Sequence, residues 1–119
     1  MQEPLDKPLK RWRGHIRYML VGDAVTSEDI VEVADLTRRL AGLTGLSFGR
    51  VTDGPHDMLI SIASPRGRQA ISADLAEAGL NVYRERYDIW RRTPGWICGA
   101  TLSSDRKEPG RLVRAHVFI

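Results

Sequence analysis

The sequence predicts an α+β domain: a mixed β-sheet with two helices packed on it and a C-terminal β-hairpin. Three observations lead to that class. Residues 27–43 form one long segment of helical periodicity after a short alternating run. Further short apolar runs with period two recur along the chain. The last two are joined by the short connection "RKEPG", which makes them a hairpin.

Residues 1–10 contain two prolines and alternating charges and predict a flexible lead-in, leaving 11–119 as a single domain. "HIRYMLVGD" alternates Ile16, Tyr18 and Leu20 against Arg17, Met19 and Val21, a strand that Gly22-Asp23 ends. In the helix over 27–43, Thr26 and Asp29 have capping-box spacing, which satisfies N–H groups that have no helical partner. Glu28 and Asp29 fall in its first turn and Arg38 and Arg39 in its last, complementing the helix dipole. Ile30, Val33, Ala34, Leu40 and Ala41 share one face, widened by Leu36 and Leu43, and Gly42 or Gly45 supplies the stop.

"LSFGRVT" and "DMLISIAS" predict two strands around the turn "DGPH", the second apolar enough on both faces to be central. A second helix is expected over 66–78, capped by Ser64 with Pro65 in its first turn or starting nearer Gln69, and ending at Gly79. "NVYRERYDIWRRTPGW" sets Tyr83, Tyr87 and Trp90 at helical spacing, but Val82, Arg84 and Pro94 favour a looser segment. "WICGATLSSD" and "GRLVRAHVFI" complete the hairpin.

The 119 residues suit one domain that buries roughly two-thirds of its unfolded surface. Apolar residues make up 42% and charged residues 28%, which excludes a disordered or fibrous chain. The net charge of +3 predicts no nucleic-acid partner by itself. One cysteine, Cys98, excludes an internal disulfide and a Cys-rich zinc site. No apolar run approaches the ~18 residues of a membrane span. The start "MQEPLDKPLKRWR" lacks an apolar signal core, so the chain as written reads as cytoplasmic; an exported protein stripped of its leader would read the same.

Few residues suggest chemistry, and no cofactor or metal is expected. His15, His56 and His116 lie in no metal-binding spacing. His116 shares a strand face with Leu112, Arg114 and Phe118, expected to be the less buried one, and is best explained as structural. Cys98 acts as a nucleophile only if a base such as His116 meets it across the hairpin; inert packing is the simpler reading. The clusters "LKRWRGHIR", with Arg11, Trp12 and Arg13, and "RERYDIWRR", with Arg84, Arg91 and Arg92, mix arginine with aromatics as nucleic-acid surfaces do. Core packing of Trp12 and Trp90 with solvated arginines is preferred, because Glu85 and Asp88 offset the second cluster.

The order "RW…HIRYMLVGD…SEDIVEVADLTRRLAGLTGLSF", then "DMLISIA", "CGATL" and "GRLVRAHVFI", resembles the DUF2927 family of bacterial proteins over roughly residues 11 to 119. That resemblance implies a relative of the zincin metallopeptidases. There a strand–helix–strand–strand start builds a mixed sheet, an edge strand borders the cleft, and a helix after the sheet carries the metal ligands and base. Nothing follows Ile119, so no ligand or base can be carried over, and the expectation is the N-terminal half of such a fold without catalysis of its own. The hairpin edge at 96–104 is then expected to bind an extended peptide by strand addition. A small stand-alone binding or inhibitor protein, using its basic aromatic surface on nucleic acid or an acidic partner, is the alternative.

Overall fold

The computed structural model describes residues 12–119. The expected lead-in and Arg11 lie outside the described residues. The elements are β1 (His15–Val21), α1 (Ser27–Thr44), β2 (Ser47–Val51), β3 (Met58–Ser61), α2 (Gly67–Glu77), α3 (Asn81–Arg91), β4 (Gly99–Ser104) and β5 (Leu112–Phe118). The strands form one mixed sheet in the order β2-β1-β3-β5-β4. Four are parallel, and β4 pairs antiparallel with β5 at one edge. The expected α+β class is the one observed.

α1 begins as the capping box dictates. Thr26 Oγ1 accepts from the Asp29 N–H at 3.1 Å and the Asp29 carboxylate accepts from the Thr26 N–H at 2.9 Å. The helix runs to Thr44, so Arg38 and Arg39 precede its last turn, and Gly45 stops it with a φ of 75°. Its inner residues Ile30, Val33, Ala34 and Ala41 are only half-buried, and Leu36 and Leu43 face solvent. It packs against β2, over the half of one sheet face that holds Ile16, Tyr18 and Phe48.

The opposite face carries α2 and α3. Ile71, Leu75, Tyr83, Tyr87 and Trp90 pack on Ala63 and Phe118, joined by the half-buried Val21, Leu59 and Leu80. Two expectations change here. The stretch after Gly79 is a helix, not a looser segment. Tyr83, Tyr87 and Trp90 bury along one side, Arg84 and Arg91 pair with Asp88 one turn away, and Pro94 lies beyond the helix end, where it breaks nothing. Three helices therefore pack on the sheet where two were expected. The burial of β5 also differs: Leu112, His116 and Phe118 are buried on the face expected to be the less buried one, while on the other Ala115 is buried and Val113 and Ile119 are exposed. Alternation alone cannot say which face meets the helices, and two aromatic-bearing helices decide it.

Two carboxylates stitch the parallel strands. The chain from β2 to β3 crosses β1 and presents Asp57, whose carboxylate accepts from the Arg17 backbone N–H at 2.9 Å. It also accepts from Arg17 Nε at 3.2 Å and Nη2 at 3.1 Å, a fork that holds the carboxyl below its ordinary range. The Asp57 N–H donates to the Arg17 carbonyl and its own carbonyl accepts from Ala115, so this residue joins β1 to β5 below β3. At the other end, Asp23 accepts from the N–H and hydroxyl of Ser64, and Ser64 Oγ accepts from the Gly67 N–H. A Cβ on Gly22 would sit 2.1 Å from the Ile62 carbonyl oxygen, and one on Gly67 would sit 2.3 Å from Asp23 Oδ1. Gly22, at a φ of 118° against backbone, requires glycine, whereas a side chain at Gly67 would displace the Asp23 carboxylate.

Asp57→Ala removes a forked charged contact and leaves the Arg17 N–H unpaired. It is expected to cost about 2 kcal/mol of stability, read from the urea midpoint at neutral pH. A shift below about 0.5 kcal/mol, the usual scatter of a surface substitution, would show that Asp57 does not tie the strands.

Candidate functional site

β4 is an edge strand, so one side of its backbone has no neighbour in the sheet. Beside it opens a groove of about 690 Å³. Arg86, Ile89 and Trp90 of α3 form one wall, and the turn Gly95–Cys98 forms the lip. Gly99, Ala100 and Thr101 of β4 with Phe118 of β5 make the floor. Gly95, at a φ of 86°, turns the chain from the helix toward the strand. Gly99 lets the Phe118 ring lie against the backbone, because a Cβ there would meet Phe118 Cε2 at 2.5 Å.

The groove is mostly apolar and partly solvated. Ile97 is 80% exposed, Trp96 58% and Ile89 54%. Two polar atoms at its wall and floor lack partners among the described residues: Trp90 Nε1 and Thr101 Oγ1, in side chains that are fully buried as residues. The Arg68 guanidinium stacks 4.6 Å from the Trp90 ring centre. The Tyr83 hydroxyl bonds to Ser103 Oγ and fixes α3 to the far end of β4.

Behind the groove lies a buried polar pair. Ser61 Oγ and His116 Nε2 are 2.8 Å apart, each in a residue 1% exposed, under the Tyr87 ring. A serine beside a histidine has the composition of a nucleophile and base, but this pair is sealed beneath α3. His116 Nδ1 has no orienting partner among the described residues. The arrangement holds β3 to β5 and offers no route for a substrate. Burial pushes His116 down to about 4.

The residues singled out from sequence scatter. Cys98 lines the groove and is exposed, not packed in a strand, because it precedes β4. Thr101, not Cys98, stands opposite His116 in the ladder, so the two reactive side chains do not meet. Arg13 is exposed and paired with Glu108 at 2.6 Å, and Trp12 is half-buried. Arg84 and Arg91 converge on the Asp88 carboxylate at 3.5 Å and 2.7 Å, and Arg92 Nε donates to the Asp88 carbonyl. Burial would raise the Asp88 carboxyl, but hydrogen bonds from Arg91 and Ser72 hold it below its ordinary value. The aromatics of this cluster, Tyr83, Tyr87 and Trp90, are core residues and present no face for base stacking. The sequence pointed to the edge 96–104, which holds Trp96, Ile97 and Thr101, but not to Arg86 or Ile89. The available signal was Trp96-Ile97, two large apolar residues on a Pro-Gly turn where solvated residues are usual.

No group of three or more metal-ligating side chains occurs among the described residues, and no helix there is long and apolar enough to cross a membrane. Fold and site together define an α+β domain whose open feature is an edge strand with a groove alongside. No family profile, curated protein or solved structure matches the chain.

The pair behind the groove sets a pH dependence. The unfolded histidine takes its proton near 6.5 and the folded one near 4, so the unfolded state binds the proton first. Stability is expected to be full above pH 6.5 and to fall toward pH 4, by on the order of 3 kcal/mol. Asp23, Asp57 and Asp88 sit below their ordinary 3.8, so the stability they contribute is lost only at still lower pH. Urea unfolding at pH 7.0 and 4.5, about half a unit above each of the two values, checks this. His116→Gln should flatten the slope, and a flat wild-type profile would contradict the assignment.

Proposed function

We propose that this chain is a peptide-binding module that captures an extended segment on the outer edge of β4. The carrying observation is the pairing of an unprotected antiparallel edge strand with an apolar groove along it. Main-chain bonds to the edge give affinity of a sequence-tolerant kind, and side-chain pockets beside it give selectivity. The outer backbone of β4 has no strand partner among the described residues and is a template for pairing.

In this reading the chain is the N-terminal part of a zincin-like, DUF2927-type domain, with binding and no catalysis of its own. Support comes from the β1-α1-β2-β3 start of a mixed sheet and from an edge strand beside a groove, the features that the resemblance implies. The nucleic-acid alternative loses its main argument, because the aromatics of its strongest cluster are buried and Arg84, Arg91 and Arg92 are engaged by Asp88, leaving Arg86.

An amide chemical-shift titration with an acetylated, amidated hexapeptide of alternating threonine and valine tests the proposal. Shifts are expected at 96–104 and along the outer turn of α3. An analogue N-methylated at alternate residues should bind at least about 10-fold more weakly, because each lost main-chain bond costs roughly 1 kcal/mol. Absence of shifts at millimolar peptide, or equal binding of the methylated analogue, would overturn it.

A further inference from the structure

We infer that the groove beside β4 selects a peptide in which a large apolar or aromatic residue and a carboxylate stand two positions apart, on one face of the added strand. This rests on the strand-addition reading and adds the chemistry of the occupant. The first observation is the pair of orphaned polar atoms. Trp90 and Thr101 are 3% and 4% exposed, and Trp90 Nε1 and Thr101 Oγ1 have no partner among the described residues. Buried indole N–H and hydroxyl groups nearly always find partners, and one left alone is costly. Both residues line the groove with these two atoms covered, so an occupant that brings oxygen acceptors removes that cost where the wall and floor shift to expose them. An apolar side chain alone supplies none. A peptide does, through its carbonyls and a carboxylate.

The second observation is charge. Arg86 is the single charged residue lining the groove, is exposed, and takes part in no ion pair among the described residues. Arg68, stacked on Trp90, adds a second cation behind the wall and is likewise in no such pair. Among the described residues no carboxylate lines the groove to offset them. An anionic occupant is complementary, and a cationic one is repelled. Size is the third constraint. About 690 Å³ lies within the range of sites that enclose a drug-sized ligand, so two or three peptide residues fit alongside the strand. Trp96 and Ile97 at the lip extend the apolar surface toward the incoming side chain.

Four acetylated, amidated hexapeptides on one threonine-valine background test the inference, with Phe and Glu, Phe and Lys, Ala and Glu or Ala and Lys at the third and fifth positions, which share one face of an extended strand. Phenylalanine is expected to bind roughly 10- to 100-fold tighter than alanine. Glutamate should exceed lysine by about 5-fold at low salt, a margin that shrinks as salt rises. Arg86→Glu, a change at an exposed and unpaired position, should reverse the acid preference and keep the phenylalanine preference. The bound peptide with Phe and Glu should also slow modification of the exposed Cys98 thiol, a readout independent of affinity. Equal binding of all four peptides, or an acid preference untouched by Arg86→Glu, would overturn this inference while leaving strand addition standing. Failure of every peptide to bind would remove the strand-addition reading itself.

Discussion

The aromatic cluster that joins α3 to β5 is the contact on which the rest of the molecule depends. The Phe118 ring stands edge-on to Tyr87 at 5.3 Å and lies 4.9 Å from both Trp90 and His116. Tyr87 stacks on Trp90 at 5.6 Å. Each large ring removes far more surface from water than an aliphatic side chain, and such pairs add about 1 kcal/mol beyond that burial. The cluster fixes the height and angle of α3 above the sheet. The groove wall therefore exists because Trp90 is pinned from behind, and its floor exists because Phe118 lies flat against Gly99.

The sheet is covered diagonally. α1 lies over the β2–β1 half of one face, and α2 and α3 lie over the β3–β5–β4 half of the other. Polar contacts secure both ends: the Asp57 fork below β3 and the Asp23–Ser64–Gly67 network above it. That upper network sits between the carboxyl ends of β1 and β3, where the helices change face. Open α/β sheets commonly bind ligands at such a point. Here the crevice is filled by the protein's own hydrogen bonds and by backbone packed against Gly22 and Gly67. The open feature lies at the β4 edge instead.

Most of the fold was legible from residue patterns. The Thr26–Asp29 cap, the Gly79 stop and the terminal hairpin are local signals, and each appears where the spacing puts it. What was not legible depends on contacts distant in sequence. The spacing of Tyr83, Tyr87 and Trp90 was visible, but its conflict with nearby Arg84 and Pro94 was resolved only by burial against β5. The buried side of β5 was set by the helices that cover it, not by alternation along the strand. Cys98 was noticed for its chemistry, yet its placement matters through the groove around it. Arg86 and Thr101 carry no motif. They gain meaning only when α3 and β4 are brought side by side.

The central claim is that an added strand completes the sheet at β4. Amide hydrogen exchange on the full chain, with and without a saturating amount of the hexapeptide with Phe and Glu, tests it most directly. In the free protein the outward amides of Gly99–Ser104 have no sheet partner and should exchange quickly, while those of β3 and β5 are protected. Strand addition predicts that the peptide slows exchange at alternate residues of β4 and leaves β1 and β2 unchanged. Uniform slowing across the domain, or protection centred on α1 or β2, would contradict it.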